Sequence, residues 1–182
     1  MVTAYYNLDE EDYLAFQLHN ASISGQIAAK RKKTRVRVPI AYVIFGLLLL
    51  WADVTMPGLA FVAFAILWYF FYPKYEAKKY EKHFRSHVQE NFKADPEKAG
   101  KLELGDEYIC GSNSLGESKI KVNEVERIDE TADYIFIRIS NAVAFVVPKQ
   151  KVENLDEVNT WLQELQTKLG IERQVNLDWK WQ

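Results

Sequence analysis

The stretch that decides the architecture is VPIAYVIFGLLLLWADVTMPGLAFVAFAILWYFFY, residues 38–72: thirty-five residues with a single charge, Asp53. Cations crowd both of its ends. Lys30, Arg31, Lys32, Lys33, Arg35 and Arg37 stand before it, and Lys74, Lys78, Lys79, Lys82 and Arg85 after it. The connection between the two apolar halves has no Lys or Arg, and this asymmetry is the one that keeps positive flanks on the cytoplasmic side of a membrane. The pattern predicts a two-span hairpin in the cytoplasmic membrane with both termini in the cytoplasm.

The first half, Val38 to Ala52, has fifteen uncharged residues. At 1.5 Å per residue that is about 22 Å, short of a hydrocarbon core of about 30 Å. Arg35 and Arg37 can snorkel, and Val36 and Asp53 can sit in the interface, so the span is read as 36–54. The second run, Val54 to Tyr72, is long enough alone, and its span is read as 55–72. Met56-Pro57-Gly58 reads as the turn, with Pro57 suited to a first helical position. Trp51 at one end and Trp68, Tyr69 and Tyr72 at the other are placed for headgroup depth. A buried hairpin in a soluble protein would need a larger shell than the remaining chain provides.

The hairpin is flanked by two helical patterns. In the N-terminal segment, 1–35, Asp9 reads as an N-cap followed by Glu10, Glu11 and Asp12 in the first turn. Tyr13, Phe16, Asn20, Ile23 and Ile27 then recur at steps of three and four, a seam in which Asn20 would select register. This helix is expected to run into the bilayer, with a bend at Pro39. After the hairpin, over 73–95, Ala77, Tyr80, Phe84 and Val88 form a second stripe, with Glu81 and Arg85 spaced for an ion pair. The two stripes predict a helical stalk. His83 and His87 stand four apart, but the pattern lacks the further ligands of a metal site.

Past Asp95-Pro96 the spacing changes, and residues 96–182 read as a separate module. From Ala94 onward there are eleven Lys and Arg against seventeen Asp and Glu, a balance that argues against nucleic acid as a partner. Cys110, the only cysteine, excludes an intrachain disulfide and suits a reducing compartment. Strands are expected at 101–104, 107–111, 118–122, 125–130, 134–140 and 142–147, the last two joined tightly across Ser140-Asn141. Tyr134, Phe136 and Arg138 should face one way, and Ile135, Ile137 and Ile139 the other. Pro148 ends the last of these strands. Asn154 with Glu157 then opens a helix as a capping box, Gly170 closes it, and Leu155, Val158, Trp161, Leu162, Leu165 and Leu169 form its apolar side. An antiparallel sheet closed by one amphipathic helix is the outline of a pleckstrin-homology-like (PH-like) barrel, so the whole chain is expected to be an α+β membrane protein.

These features resemble the YcxB-like family of bacterial membrane proteins. The likeness lies in the acidic helix start at Asp9 to Asp12, the basic approach to an apolar hairpin and the polar aromatic helix after it. Locally it lies in Ile120 to Ile128, Tyr134-Ile135-Phe136-Ile137 and Val147-Pro148-Lys149. The resemblance implies a two-span anchor with a cytoplasmic sheet module and carries no catalytic or binding residues with it.

The sequence has no phosphate-cradling glycine loop, metal-ligand cluster or nucleophile-base constellation. The pairs Glu124 with Glu126 and Asp129 with Glu130 read as solvent-facing. The expectation is a non-enzymatic, membrane-anchored interaction or adaptor module without cofactor, whose partners are the bilayer and a protein or a second copy. The alternatives are a lipid-headgroup-recognising module using Lys149 and Lys151, or an accessory subunit of a transport complex. Trp179-Lys180-Trp181 could dip into the interface, cover the stalk or serve as a tag.

Overall fold

Val2-Thr3-Ala4-Tyr5-Tyr6 is rich in β-branched and aromatic side chains, and it forms the first strand, β1 (Val2–Tyr6). The computed structural model describes residues 1–91, 100–113, 116–140 and 143–182. The chain divides into two compact units, one of Met1–Asn20 with Arg85–Lys180 and one of Ala21–Phe84 with Trp181–Gln182.

In the first unit β1 pairs antiparallel with β2 (Gly100–Leu104), from Val2 opposite Leu104 to Tyr6 opposite Gly100. Everything from Asn7 to residue 99 is therefore an insertion between two neighbouring strands. β3 (Tyr108–Asn113) and β4 (Gly116–Lys121) complete a four-stranded meander in the order β1-β2-β3-β4. A single 3₁₀ turn at Val122–Glu124 leads to a second sheet. There β5 (Arg127–Glu130), β6 (Tyr134–Arg138) and β7 (Ala144–Pro148) are antiparallel, and β8 (Glu172–Val175) lies parallel to β5.

One core joins these layers. Ala4, Leu102, Leu104 and Ile109 come from the first sheet and Ile128, Ile135, Ile137 and Val147 from the second. The helix between β7 and β8, numbered α4 below, adds Val158, Trp161, Leu162 and Leu165, its predicted apolar side. It spans Leu155–Leu169 and ends on Gly170, whose φ of 67° is the left-handed cap that glycine adopts without a Cβ clash. Its start differs from the expected capping box. Asn154 makes no side-chain cap, and its amide donates instead to the Thr3 carbonyl of β1 and to Glu157.

The outer face of the second sheet is buried as well, by α1 (Glu10–Ile23). Phe16 packs with Phe136 and Val146. Asp9 caps this helix through Glu11 and Asp12 amides at 2.9 and 3.0 Å, and Asp12 returns a bond from the Asp9 amide at 2.8 Å. Asn20, read from sequence as a register device, accepts from Arg138 Nη1 at 2.7 Å. Arg138 is 1% exposed, and its Nε donates to Asp129 while its Nη2 lies 2.7 Å from His19 Nδ1. Asp129 is thus buried in an ion pair and not solvent-facing as expected. The reason is that α1 covers a face which would otherwise be wet.

Several predicted bounds shift. The six expected strands are all present with moved ends, whereas β1 and β8 were not anticipated. The first thirty-five residues do not stand apart: β1 and most of α1 belong to the sheet unit. The expected boundary at 95/96 and the Asn141 and Ala142 positions of the tight turn lie outside the described residues. The helix before the hairpin does not run on unbroken either. It stops at Ile23, Ser24 is extended (φ −70°, ψ 112°) and caps a new helix, α2 (Gly25–Trp51), through its hydroxyl.

The second unit is α2 and the hairpin part of α3 (Thr55–Asn91). Their connection is Ala52-Asp53-Val54, not Met56-Pro57-Gly58, because Asp53 takes the left-handed φ of 60° that reverses the chain. Pro57 is tolerated in the first turn of α3, where its missing N–H has no partner to lose.

His19 is buried between Phe136 and Arg138, and burial together with the Arg138 charge lowers its pKa from 6.5 to about 4. An unfolded chain takes up this proton first, so stability is intact above about pH 6.5 and falls as pH drops toward 4. The loss approaches about 3 kcal/mol at the lower end. Thermal melting of the full chain in detergent should show this decline, and His19→Gln, which keeps an acceptor and cannot titrate, should flatten it.

Candidate functional site

The hairpin positions the residues that the sequence singles out. α2 and α3 run antiparallel with a constant register: Leu50 lies against Gly58, Gly46 against Gly58 and Val62, Tyr42 against Phe61 and Trp68, Arg35 against Tyr69, and Arg31 against Glu76 and Tyr80. Close approach is set by small residues. A Cβ on Gly46 would stand 2.9 Å from Val62 Cγ2 and 3.0 Å from the Gly58 carbonyl, and one on Gly58 would stand 2.7 Å from Leu50 Cγ. Ala65 is buried in the same unit. Small residues at a helix contact are the means by which backbones pack where hydrophobic exclusion from water gives no help.

The large apolar side chains turn outward. Ile40, Ile44, Phe45, Leu47 and Leu48 of α2 and Leu59, Phe64, Ile66, Leu67, Phe70 and Phe71 of α3 are all exposed. In the most apolar eighteen-residue window of each helix only 11% is buried, and both helices are long and apolar enough to cross a membrane. A core helix of a water-soluble protein would have that window mostly covered. Trp51, 87% exposed, is the last residue of α2 beside the reversal.

The opposite end is polar and basic. Between Ala21 and Phe84 there are ten Lys and Arg and only three acids, Asp53, Glu76 and Glu81. Lys30, Lys32, Lys33, Arg37, Lys74, Lys78 and Lys79 are exposed. Arg31 is held: its Nε donates to Glu76 at 3.2 Å, its Nη2 donates to the Gln182 carbonyl, and its guanidinium lies 4.9 Å from the Trp181 ring. Trp181 Nε1 in turn donates to the Ala77 carbonyl at 2.8 Å, so this tail residue packs on protein. Glu76 is not singled out by the sequence, and the only signal for it is its position as one of two acids, with Glu81, among the cations after the hairpin.

Arg35 is arranged differently. It is half-buried, its guanidinium lies 4.4 Å from the centre of the Tyr69 ring, and its Nε is shielded without an acceptor. Trp68 Nε1, next to Tyr69, is likewise shielded and unbonded, with the indole stacked on Tyr72 at 4.6 Å. Two prolines bracket this level. Pro39 has no amide to give the Arg35 carbonyl, and Pro73 has none for the Tyr69 carbonyl.

In the sheet unit several cations are internally compensated. Lys149 Nζ lies 2.6 Å from Glu130, Lys151 Nζ lies 2.6 Å from both Asp9 and Asp12, and Arg173 pairs with Glu130 at 2.6 Å. These contacts lower the Glu130 and Asp9 pKa values despite partial burial. His87 Nδ1 is 3.1 Å from the Asn91 amide, and His83 packs beside Phe84. Among the described residues no three potential metal ligands come together. Cys110 is half-buried on β3.

Residues 104–163, from the end of β2 into α4, match the family model described as YcxB-like protein. The likeness read from sequence is thereby found in the sheet unit. No curated protein and no solved structure matches the chain.

Gly46→Leu should push the helices apart, lowering hairpin stability by about 1–3 kcal/mol. The midpoint of thermal unfolding in detergent checks this, and the outward substitution Phe64→Leu should leave that midpoint nearly unchanged.

Proposed function

We propose that this YcxB-like chain is a membrane-anchored interaction module. Its two long apolar helices cross the cytoplasmic membrane as an antiparallel pair. The basic ends of those helices lie at the cytoplasmic face, and the sheet unit is tethered there to meet a protein partner or a second copy. The observation that carries this reading is the outward apolar face of both helices, which the described residues leave uncovered. The cation asymmetry supports the orientation.

The sheet unit is read as PH-like on its connectivity: a four-stranded meander, three further antiparallel strands and a helix whose Trp161 fills the core between the sheets. It departs from a plain barrel of that kind in β8 and in the insertion of the hairpin between β1 and β2. The unit carries thirteen Lys and Arg against twenty-two Asp and Glu outside the hairpin region. Lys149 and Lys151, offered by the sequence for a headgroup, are both engaged by carboxylates. That favours a protein surface over an anionic lipid as what this unit recognises.

Fusion of reporters to the two ends tests the orientation. A fluorescent protein should be bright and alkaline phosphatase inactive at both, and the reverse at either end contradicts the topology. Mild cross-linking in native membranes should join the chain to a protein neighbour or to itself, and recovery of the uncoupled chain alone contradicts the interaction role.

A further inference from the structure

The two sheets end in four edge strands, β1 and β4 in one and β7 and β8 in the other, and an open edge is where a further strand can add. Three of them are blunted. On β1 the Thr3 carbonyl is taken by the side-chain amide of Asn154, just ahead of α4. β7 ends in Pro148, which has no N–H to give, and its Val146 and Val147 are buried. β8 is only four residues long. β4 has none of these devices: it runs for six residues without proline, and its Glu117, Ser118, Lys119 and Lys121 are exposed.

The ladder fixes which backbone groups β4 offers. Val122, the residue that follows it, donates its N–H to the Glu107 carbonyl at 2.9 Å, on the β3 side. Backbone groups of successive residues point to alternate sides of a strand. Ser118 and Ile120 therefore turn theirs to β3, and Glu117, Lys119 and Lys121 turn theirs to the edge. No strand pairs with that edge among the described residues. Side chains alternate between the faces in the same way. Ile120 lies opposite the buried Ile109, so Ser118 and Ile120 share the core side while Glu117, Lys119 and Lys121 share the outer one. Lys119 Nζ stands 4.2 Å from the centre of the Tyr108 ring there.

Lysine on an edge strand repels a partner edge of like charge. Here it stands two residues after an acid, and that spacing makes β4 complementary to itself. An antiparallel copy centred on Ser118 sets Glu117 opposite Lys119 of the second copy and Lys119 opposite its Glu117, with the outward backbone groups of both strands facing each other. The next symmetric register, centred on Lys119, would set that lysine against itself. The charge pattern thus selects both the occupant and the alignment.

We propose that β4 is the contact through which two copies of this chain join, edge to edge and antiparallel about Ser118, merging their four-stranded sheets into one. This rests on the interaction-module reading and deepens it by naming the partner. A strand edge is a small contact, and confinement of both copies to one membrane face raises the effective concentration at which they meet.

Disulfide trapping of the full chain in its native membranes tests the contact. With Cys110→Ser as background, Ser118→Cys faces its own copy and should form a linked dimer under mild oxidant, whereas Glu172→Cys, exposed on β8, should not. Adding Glu117→Lys or Lys119→Glu to the Ser118→Cys chain turns two opposite-charge pairs into like-charge pairs and should lower the dimer about fivefold or more. Adding both reversals together restores opposite charges and should return the dimer to within about twofold of its starting level. That recovery separates a lost contact from a lost fold. The proposal is overturned if the two cysteines link equally, if neither single reversal reduces the dimer, or if the double reversal fails to recover it. A chain that is captured with another protein but not through Ser118 refutes this edge and leaves the interaction role standing. A chain that cross-links to nothing refutes that role as well.

Discussion

Two helices of 27 and 37 residues turn small side chains toward each other and large apolar ones outward, and this inversion governs the rest of the molecule. In water, packing is driven by hiding Leu, Ile and Phe, so a hairpin that hides Gly46, Gly58 and Ala65 and displays Phe45, Phe64 and Phe70 would be unstable as a solvated object. In hydrocarbon the preference reverses, because lipid tails solvate the large side chains while close backbone contact gains dispersion energy. At about 55 Å, α3 is longer than a bilayer core is thick, and its apolar part is confined to its first half.

Charge is segregated with equal consistency. The hairpin region is strongly basic and its exposed cations stand without carboxylate partners among the described residues, whereas in the acidic sheet unit Arg138, Lys149, Lys151 and Arg173 are paired with carboxylates of the same unit. The Arg138–Asp129 pair shows why the second pattern needs α1. A guanidinium on the outer face of β6 would be solvated if that face were open, but Phe16, His19 and Asn20 close it, and desolvation is offset by the contacts of all three guanidinium nitrogens with Asp129, Asn20 and His19. The same closure holds His19 neutral.

Much of this was legible in the sequence, for physical reasons that vary by element. The hairpin announces itself because composition alone sets membrane compatibility, and β2 to β7 and α4 because alternation and 3.6-residue spacing are local. β1 and β8 are not legible locally, since neither signals its partner. Five residues at one end pair with a strand nearly a hundred positions later, and Glu172–Val175 has one apolar residue in four and joins β5 in parallel. The seam of α1 was visible, but periodicity reports that a face is apolar and not what covers it. Phe16 and Asn20 turn out to serve the second sheet. The basic girdle was likewise plain, whereas the difference between Arg31, paired with Glu76, and Arg35, set over the Tyr69 ring, depends on which residues of α3 lie opposite, and that is set by the glycine-mediated register.

The lipid-facing surface is the claim from which the others follow, and Phe64, 61% exposed in the middle of the second span, reports on it directly. With Cys110 replaced by serine, a single nitroxide placed at Phe64→Cys in vesicles should collide more often with dissolved oxygen than with a water-soluble nickel chelate. The opposite ranking, chelate over oxygen, would show that face in water and contradict the account.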